Sequence, residues 1–283
     1  MKTDRATIRL SRNFHCTFKP ERQYINALLR YAALGESGTL LEIARATGIP
    51  MGNSTGKVPA ILDYCRGMGL IILVENQKKS SRKQLELTEF GRVVLKEDPY
   101  LKQDITQWIA HFNLCSPLTG AEVWYHTFVS GNFLLGNAFL RTELENHLKL
   151  KFGKTDKNLI GPLVGMYEDD ASFKVCSVLS EKKGIIHRKE APIRDELIRG
   201  YGAWMIQLLC DFVPRYSQVL ITDFDSNAGW KTIPGWSTNS STRILELIES
   251  KGLIRIDRLM QPWIIQAKVS PAEAWKEMYR DYA

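Results

Sequence analysis

Between Glu21 and Asp98 the apolar positions switch between two periods, and the switching outlines one small unit. Ile25, Leu28, Leu29, Ala32 and Ala33 recur at helical spacing until Gly35 stops the run. Thr39 stands as N-cap to a short helix over 40–46, with Glu42 at the capping-box position. Gly48-Ile49-Pro50 breaks that helix. Ser54 or Thr55 opens the next, whose Val58, Ile61, Leu62 and Cys65 face one side and which Gly67 and Gly69 end. Two short apolar runs, Leu70–Val74 and Leu85–Leu87, flank a polar tip and predict a hairpin. Thr88 to Leu95 then returns to helical spacing before Pro99. Helix, helix, tight turn, helix, hairpin, helix is the order of a winged helix-turn-helix.

From Tyr100 to about Ala191 the pattern is mostly helical, with candidates at Lys102–Leu114, Ala121–Val129, Ala138–Lys151 and Lys157–Met166. Tyr167–Phe173 reads as a further short helix, and Gly184–Arg188 as a strand. Near the end, Gly235–Ile254 repeats Gly52–Ile71 at a constant offset of 183, with eight identities in twenty positions. Ile256–Ala267 then predicts a hairpin turning near Gln261-Pro262, and Ser270-Pro271 opens a last helix. Two amphipathic helix-plus-strand segments can also resemble each other by chance. The expected fold is mainly α with small β hairpins, as tandem winged helix-turn-helix units around a helical middle. The expected domains are 1–99, 100–190 and 191–283, the last opening on a long helix over Arg194–Phe212.

Composition narrows the setting. Hydrophobic residues make up 44% and charged residues 24% of 283, an ordinary globular balance. No apolar run reaches membrane-spanning length, and the first residues lead into no apolar segment of a signal peptide. Five cysteines without a CxxC pair argue for thiols in a reducing cytoplasm, against a disulfide frame or zinc ribbon. Lys and Arg total 38 against 31 acidic residues, a net charge of +7 that suits phosphates. Many proteins are mildly basic for no binding reason, so the residues must carry the argument.

Asn53, Ser54, Thr55 and Lys57 lie where a recognition helix enters the major groove of duplex DNA. Lys78, Lys79, Arg82 and Lys83 cluster at the wing tip, where cations meet the phosphate backbone or minor groove. Lys182, Lys183, His187, Arg188 and Lys189 form a third basic cluster. A capped core helix and a solvated tip are the plainer alternatives. Gly52–Val58 resembles a P-loop but has three residues between its glycines and no hydroxyl after Lys57, so nucleotide binding is set aside. For metal-assisted chemistry, Asp223 and Asp225 follow the strand-like Val219-Leu220-Ile221. On one side of an extended segment they would pair as magnesium ligands, and Glu168-Asp169-Asp170 is a second candidate. Turn or cap devices are the plainer reading of both.

Phe14-His15-Cys16-Thr17-Phe18 with Pro20 and Arg22, then Ile49-Pro50-Met51-Gly52-Asn53, Ile61 and Gly69-Leu70, and the aromatic tail Trp275, Tyr279 and Tyr282 carry a family resemblance. The chain resembles the SspB-like family of bacterial DNA phosphorothioate (backbone sulfur) modification systems, found beside PAPS-reductase-like genes. Two departures stand out: the family has Glu where this chain has Cys16, and Trp-Leu where it has Tyr24-Ile25. The resemblance implies a DNA-binding and nicking protein. Its partners would be a cysteine desulfurase, an ATP-pyrophosphatase-like sulfur transferase and an ATPase. No nuclease motif of that family maps securely onto this chain, and no catalytic residue is carried over from it. For the nicking that the resemblance implies, the acidic pair Asp223 and Asp225 with magnesium is the candidate from the residues themselves. A transcriptional regulator without chemistry, and a scaffold binding protein partners, are the alternative readings. Winged-helix units often pair, so a homodimer is a further expectation.

Overall fold

One succession of elements occurs three times along the chain. The computed structural model describes residues 8–51, 56–74, 81–154, 156, 158–213 and 218–282. The first copy is α1 (Arg22–Ala33), β1 (Ser37–Gly38), α2 (Leu40–Thr47), α3 (Lys57–Gly67), β2 (Ile71–Leu73), β3 (Lys83–Leu87) and α4 (Glu89–Glu97). After α5 (Asp104–Leu114), the second runs α6 (Glu122–Phe128), α7 (Asn132–Leu135), β4 (Ala138–Leu140), α8 (Arg141–Phe152), α9 (Ile160–Glu168), β5 (Leu179–Lys182) and β6 (Ile185–Arg188). The third is α10 (Ile198–Phe212), β7 (Val219–Leu220), α11 (Ile221–Ala228), α12 (Thr238–Ser250), β8 (Ile254–Asp257), β9 (Ile264–Ala267) and α13 (Pro271–Lys276).

Each copy closes an antiparallel sheet in which its first strand pairs with its third: β1-β3-β2, β4-β6-β5 and β7-β9-β8. In each, the helix after the first strand ends on a left-handed glycine: Gly48 after α2 (φ 69°), Gly153 after α8 (φ 70°) and Gly229 after α11 (φ 69°). A side chain is strained in that conformation, so glycine sets the turn towards the next helix. The offset of 183 holds in space as well. α3 ends at Gly67 and α12 at Ser250, while β2 begins at Ile71 and β8 at Ile254.

Local chemistry explains the elements that the sequence predicts. The Thr39 hydroxyl accepts the Glu42 N–H at 3.3 Å, and the Glu42 carboxylate accepts the Thr39 N–H at 2.8 Å, completing the cap of α2. Ser270 and Glu273 cap α13 in the same way, with Pro271 at its first position. Two expectations are corrected. Ala138–Leu140 is a strand, not helix, because it pairs with β6 at Phe139↔Ile186. Tyr167 and Glu168 end α9, and 170–176 form turns rather than a helix; the Asp169 carboxylate accepts the Ala171 N–H at 2.9 Å. The middle therefore holds a sheet as well as helices.

The chain is mainly helical with small three-stranded antiparallel sheets. By its contacts it divides into two units, Ile8–Cys115 with Thr119–Lys189, and Glu190 onward with Ser116–Leu118. The larger unit holds the first two copies around Tyr64, Trp108, Trp124, Phe128 and Tyr167, all buried. Its core contains a short polar thread: the Trp124 indole N–H donates to the Tyr167 hydroxyl at 2.9 Å, and that oxygen lies 2.7 Å from His111 Nδ1. The other unit packs the third copy around Tyr201, Trp204, Phe224, Trp236 and Trp275. The Trp236 indole N–H donates there to the Ala191 carbonyl at 3.0 Å.

Candidate nucleic-acid interface

The helix expected to meet DNA in the first copy is α3. It begins at Lys57 with Gly56 as N-cap. Asn53, Ser54 and Thr55 lie outside the described residues. Lys57 does not project freely. Its ammonium lies 2.6 Å from the Glu21 carboxylate, 4.8 Å from the Tyr24 ring centre and 5.5 Å from that of Phe18, and the side chain is 17% exposed. A cation held by a carboxylate and two ring faces has little charge left to offer a phosphate. No residue of α3 is exposed, because Val58, Ala60, Ile61, Leu62, Tyr64 and Cys65 are buried around the whole helix.

The wing expected around Glu75–Gln84 is bounded by β2 and β3; Lys78 and Lys79 fall outside the described residues. Arg82 is exposed, and its guanidinium reaches the Glu42 carboxylate at 2.9 Å and the Ser37 carbonyl at 2.5 Å. Lys83 begins β3 opposite Gly38 and is half-buried. The two cations thus sit at the root of the hairpin. In the third basic cluster Lys182, Lys183, His187 and Lys189 are exposed, but Arg188 turns inward. Its guanidinium donates to the Thr127 carbonyl at 2.6 Å and to Asn132, and lies 4.9 Å from the Phe128 ring centre. Burial pulls its pKa down to about 10.

The acidic pair is placed differently from the expectation. Asp223 and Asp225 lie on α11, not on an extended segment, since the strand ends at Leu220. Two residues apart on a helix they stand roughly 200° apart around the axis and cannot share one ion. Asp225 is a local cap: its carboxylate accepts the Lys231 N–H at 2.9 Å and the Thr232 N–H at 3.3 Å. Asp223 is exposed. In the second acidic cluster Glu168 accepts the Glu181 N–H at 2.6 Å, Asp169 pairs with Lys19, and Asp170 pairs with Lys174 at 3.0 Å. Among the described residues no three His, Cys, Asp or Glu side chains gather as a metal-holding group. Nor is any helix there long and apolar enough to cross a membrane.

The segment that carries the family resemblance is strained. Cys16 and Thr17 both have positive φ, 46° and 67°, a conformation that costs side-chain-bearing residues energy. It wraps His15, which is 1% exposed and whose Nδ1 accepts the Thr17 N–H at 3.0 Å. That bond leaves the proton on Nε2, which has no partner among the described residues. Burial lowers the His15 pKa to about 4, against a smaller opposing pull from Asp156.

One surface was missed by the sequence reading. On α12, Thr238, Asn239, Arg243 and Glu246 are exposed and Ser240 and Thr242 half-buried, while Ser241, Ile244, Leu245 and Ile248 face the core. The repeat at offset 183 was the available signal. It aligns this helix with α3, and Ser241, Thr242 and Arg243 stand where α3 has Val58, Pro59 and Ala60.

Residues 57–161 match a family described as "Protein of unknown function (DUF4007)". None of the curated proteins matches the chain. Two solved structures are similar to it: magnesium ion-bound SspB at a TM-score of 0.70, and SspB at 0.68. Each is 15% identical, over 98% of this chain and 89% of the other. Across almost its whole length, the chain has the fold of SspB.

Proposed function

We propose that this chain is a duplex-DNA-binding component of a DNA phosphorothioate modification and defence system. The observation that carries the reading is the SspB fold over 98% of the chain, joined to the sequence resemblance to the SspB-like family. Each helix, strand, helix, helix, hairpin copy is read as a winged helix-turn-helix unit. The +7 net charge, with Arg82 and Lys83 at the root of the first hairpin, supports a phosphate-facing role. Its partners under this reading are the sulfur-transfer and ATPase proteins of the system, in the cytoplasm, with a homodimer as the assembly to look for.

Nicking is the enzymatic part of the reading and rests on the family resemblance alone. Asp223 and Asp225 do not fit a shared magnesium ion, so no cutting step is assigned to them. Fluorescence anisotropy with a labelled 30-bp duplex tests the binding. Affinity that falls steeply with salt supports it, and no binding at low salt overturns it. Supercoiled plasmid incubated with the protein and magnesium tests nicking by the appearance of open circles. A discrete promoter footprint without open circles would favour a transcriptional regulator instead.

A further inference from the structure

The three copies differ in what their third-position helices offer to solvent, and the difference selects one of them. α3 has no exposed residue, and its leading cation is held by Glu21, Phe18 and Tyr24. α9 is apolar, with Ile160, Pro162, Leu163, Val164, Met166 and Tyr167 buried. α12 alone among the three presents a polar stripe, Asn239, Thr242, Arg243 and Glu246, at the spacing of one helix face. The geometry points to α12 as the helix that enters the major groove, with Asn239, Thr242 and Arg243 meeting base edges and phosphate. This deepens the DNA-binding reading and rests on it.

The side-chain chemistry fits that ligand. Asparagine pairs with adenine through two hydrogen bonds, arginine pairs with guanine in the same way, and threonine serves either a base or the thymine methyl. The stripe is built to be offered. Ser237 caps α12 by accepting the Ser240 N–H at 3.0 Å, and the half-buried Thr242 donates its hydroxyl to the Thr238 carbonyl at 3.0 Å. Arg243 has no ion pair among the described residues, unlike Lys57. Beneath it Ile244, Leu245 and Ile248 anchor the helix to its unit, so the exposed positions can be changed without disturbing the core. The hairpin that follows is equally open. Arg255 is exposed, and Leu259 and Met260 at the tip are 91% and 75% exposed, apolar residues of the kind that wedge between base steps.

The experiment uses the full chain and a labelled 30-bp duplex of mixed sequence, with anisotropy read across a salt series. Arg243→Ala and the pair Asn239→Ala with Thr242→Val are compared with Lys96→Ala, which removes one exposed charge from α4. The expected result is a loss of about tenfold for each α12 variant and little change for Lys96→Ala, with melting temperatures unaltered. Selection from a randomised duplex pool adds a second readout: the α12 variants relax the preference of the parent at one or two positions. If the parent does not bind DNA, the proposed function fails first. If it binds and the α12 variants match Lys96→Ala in affinity and selected sequence, the assignment to α12 is overturned.

Discussion

The ammonium of Lys57 lies 2.6 Å from the carboxylate of Glu21, with side chains 17% and 25% exposed, and joins the start of α3 to the residue that caps α1. The pair is partly screened from water and backed by Tyr24 and Phe18, so it holds two elements together. Lys57→Met and Glu21→Gln each lower stability in urea, and the double-mutant cycle gives a coupling of about 1 kcal/mol. A coupling near zero would mean that the geometry contributes nothing.

Gly91 lies against the backbone where the first hairpin meets α4. A Cβ built there would stand 1.9 Å from the Leu70 carbonyl oxygen, which already accepts the Thr88 N–H at 3.1 Å. Backbone cannot move aside as a side-chain tip can. Gly91→Ala therefore costs on the order of 3 kcal/mol in equilibrium unfolding. A loss under about 0.5 kcal/mol would show that the hairpin and α4 can separate cheaply.

Where the sequence could be read, local and tertiary forces agreed. Thr39 with Glu42, and Ser270 with Pro271, carry their own capping chemistry, so α2 and α13 were legible from single residues. β1, at Ser37–Gly38, was not, because two residues have no period and pair only through β3. Ala138–Leu140 read as helix because its apolar residues run straight into α8, and only pairing with β6 makes it extended. The candidate site was the least legible part. Nothing local to Lys57 announces Glu21, thirty-six positions earlier, as its partner. Asp223-Phe224-Asp225 has the alternation of a strand, yet it is helical and ends on Gly229.

Two buried histidines set an acid limit on stability. Burial holds His111 at about 3, with Arg188 nearby acting in the same direction, and His15 at about 4. Both are neutral in the folded chain, whereas in the unfolded chain they take up protons near pH 6.5. Between those values the unfolded state binds more protons, so stability falls as pH drops from about 6.5 towards 4, and further towards 3 for His111. Melting temperatures across this range will decline, and His15→Gln, which cannot titrate, will shallow the decline. A parent whose melting temperature stays flat from pH 6.5 to 4 would contradict the burial argument.

Arg82 and Lys83 offer a separate reading of charge. Arg82 is shared between Glu42 and the Ser37 carbonyl, so any phosphate must compete with an existing pair. If the root of the first hairpin meets the backbone, Arg82→Ala with Lys83→Ala reduces the slope of log affinity against log salt by about two. Glu42→Gln, which releases Arg82, then raises affinity severalfold. An unchanged slope would place the phosphate contacts elsewhere.

Asp223 and Asp225 can be separated by stability rather than by activity. The Asp225 carboxylate accepts two backbone N–H groups beyond Gly229, at Lys231 and Thr232, and so fastens the turn that leads towards α12. Removing it leaves those donors unmet, and Asp225→Ala costs about 1 kcal/mol, as loss of a cap does. Asp223 is exposed on another side of α11, and Asp223→Ala leaves unfolding unchanged within about 0.5 kcal/mol. Magnesium distinguishes the roles further. If the two carboxylates shared an ion, millimolar magnesium would raise the melting temperature of the parent and not of either variant. On the helical geometry, magnesium shifts all three alike, and a parent-specific shift would restore the paired-ligand reading.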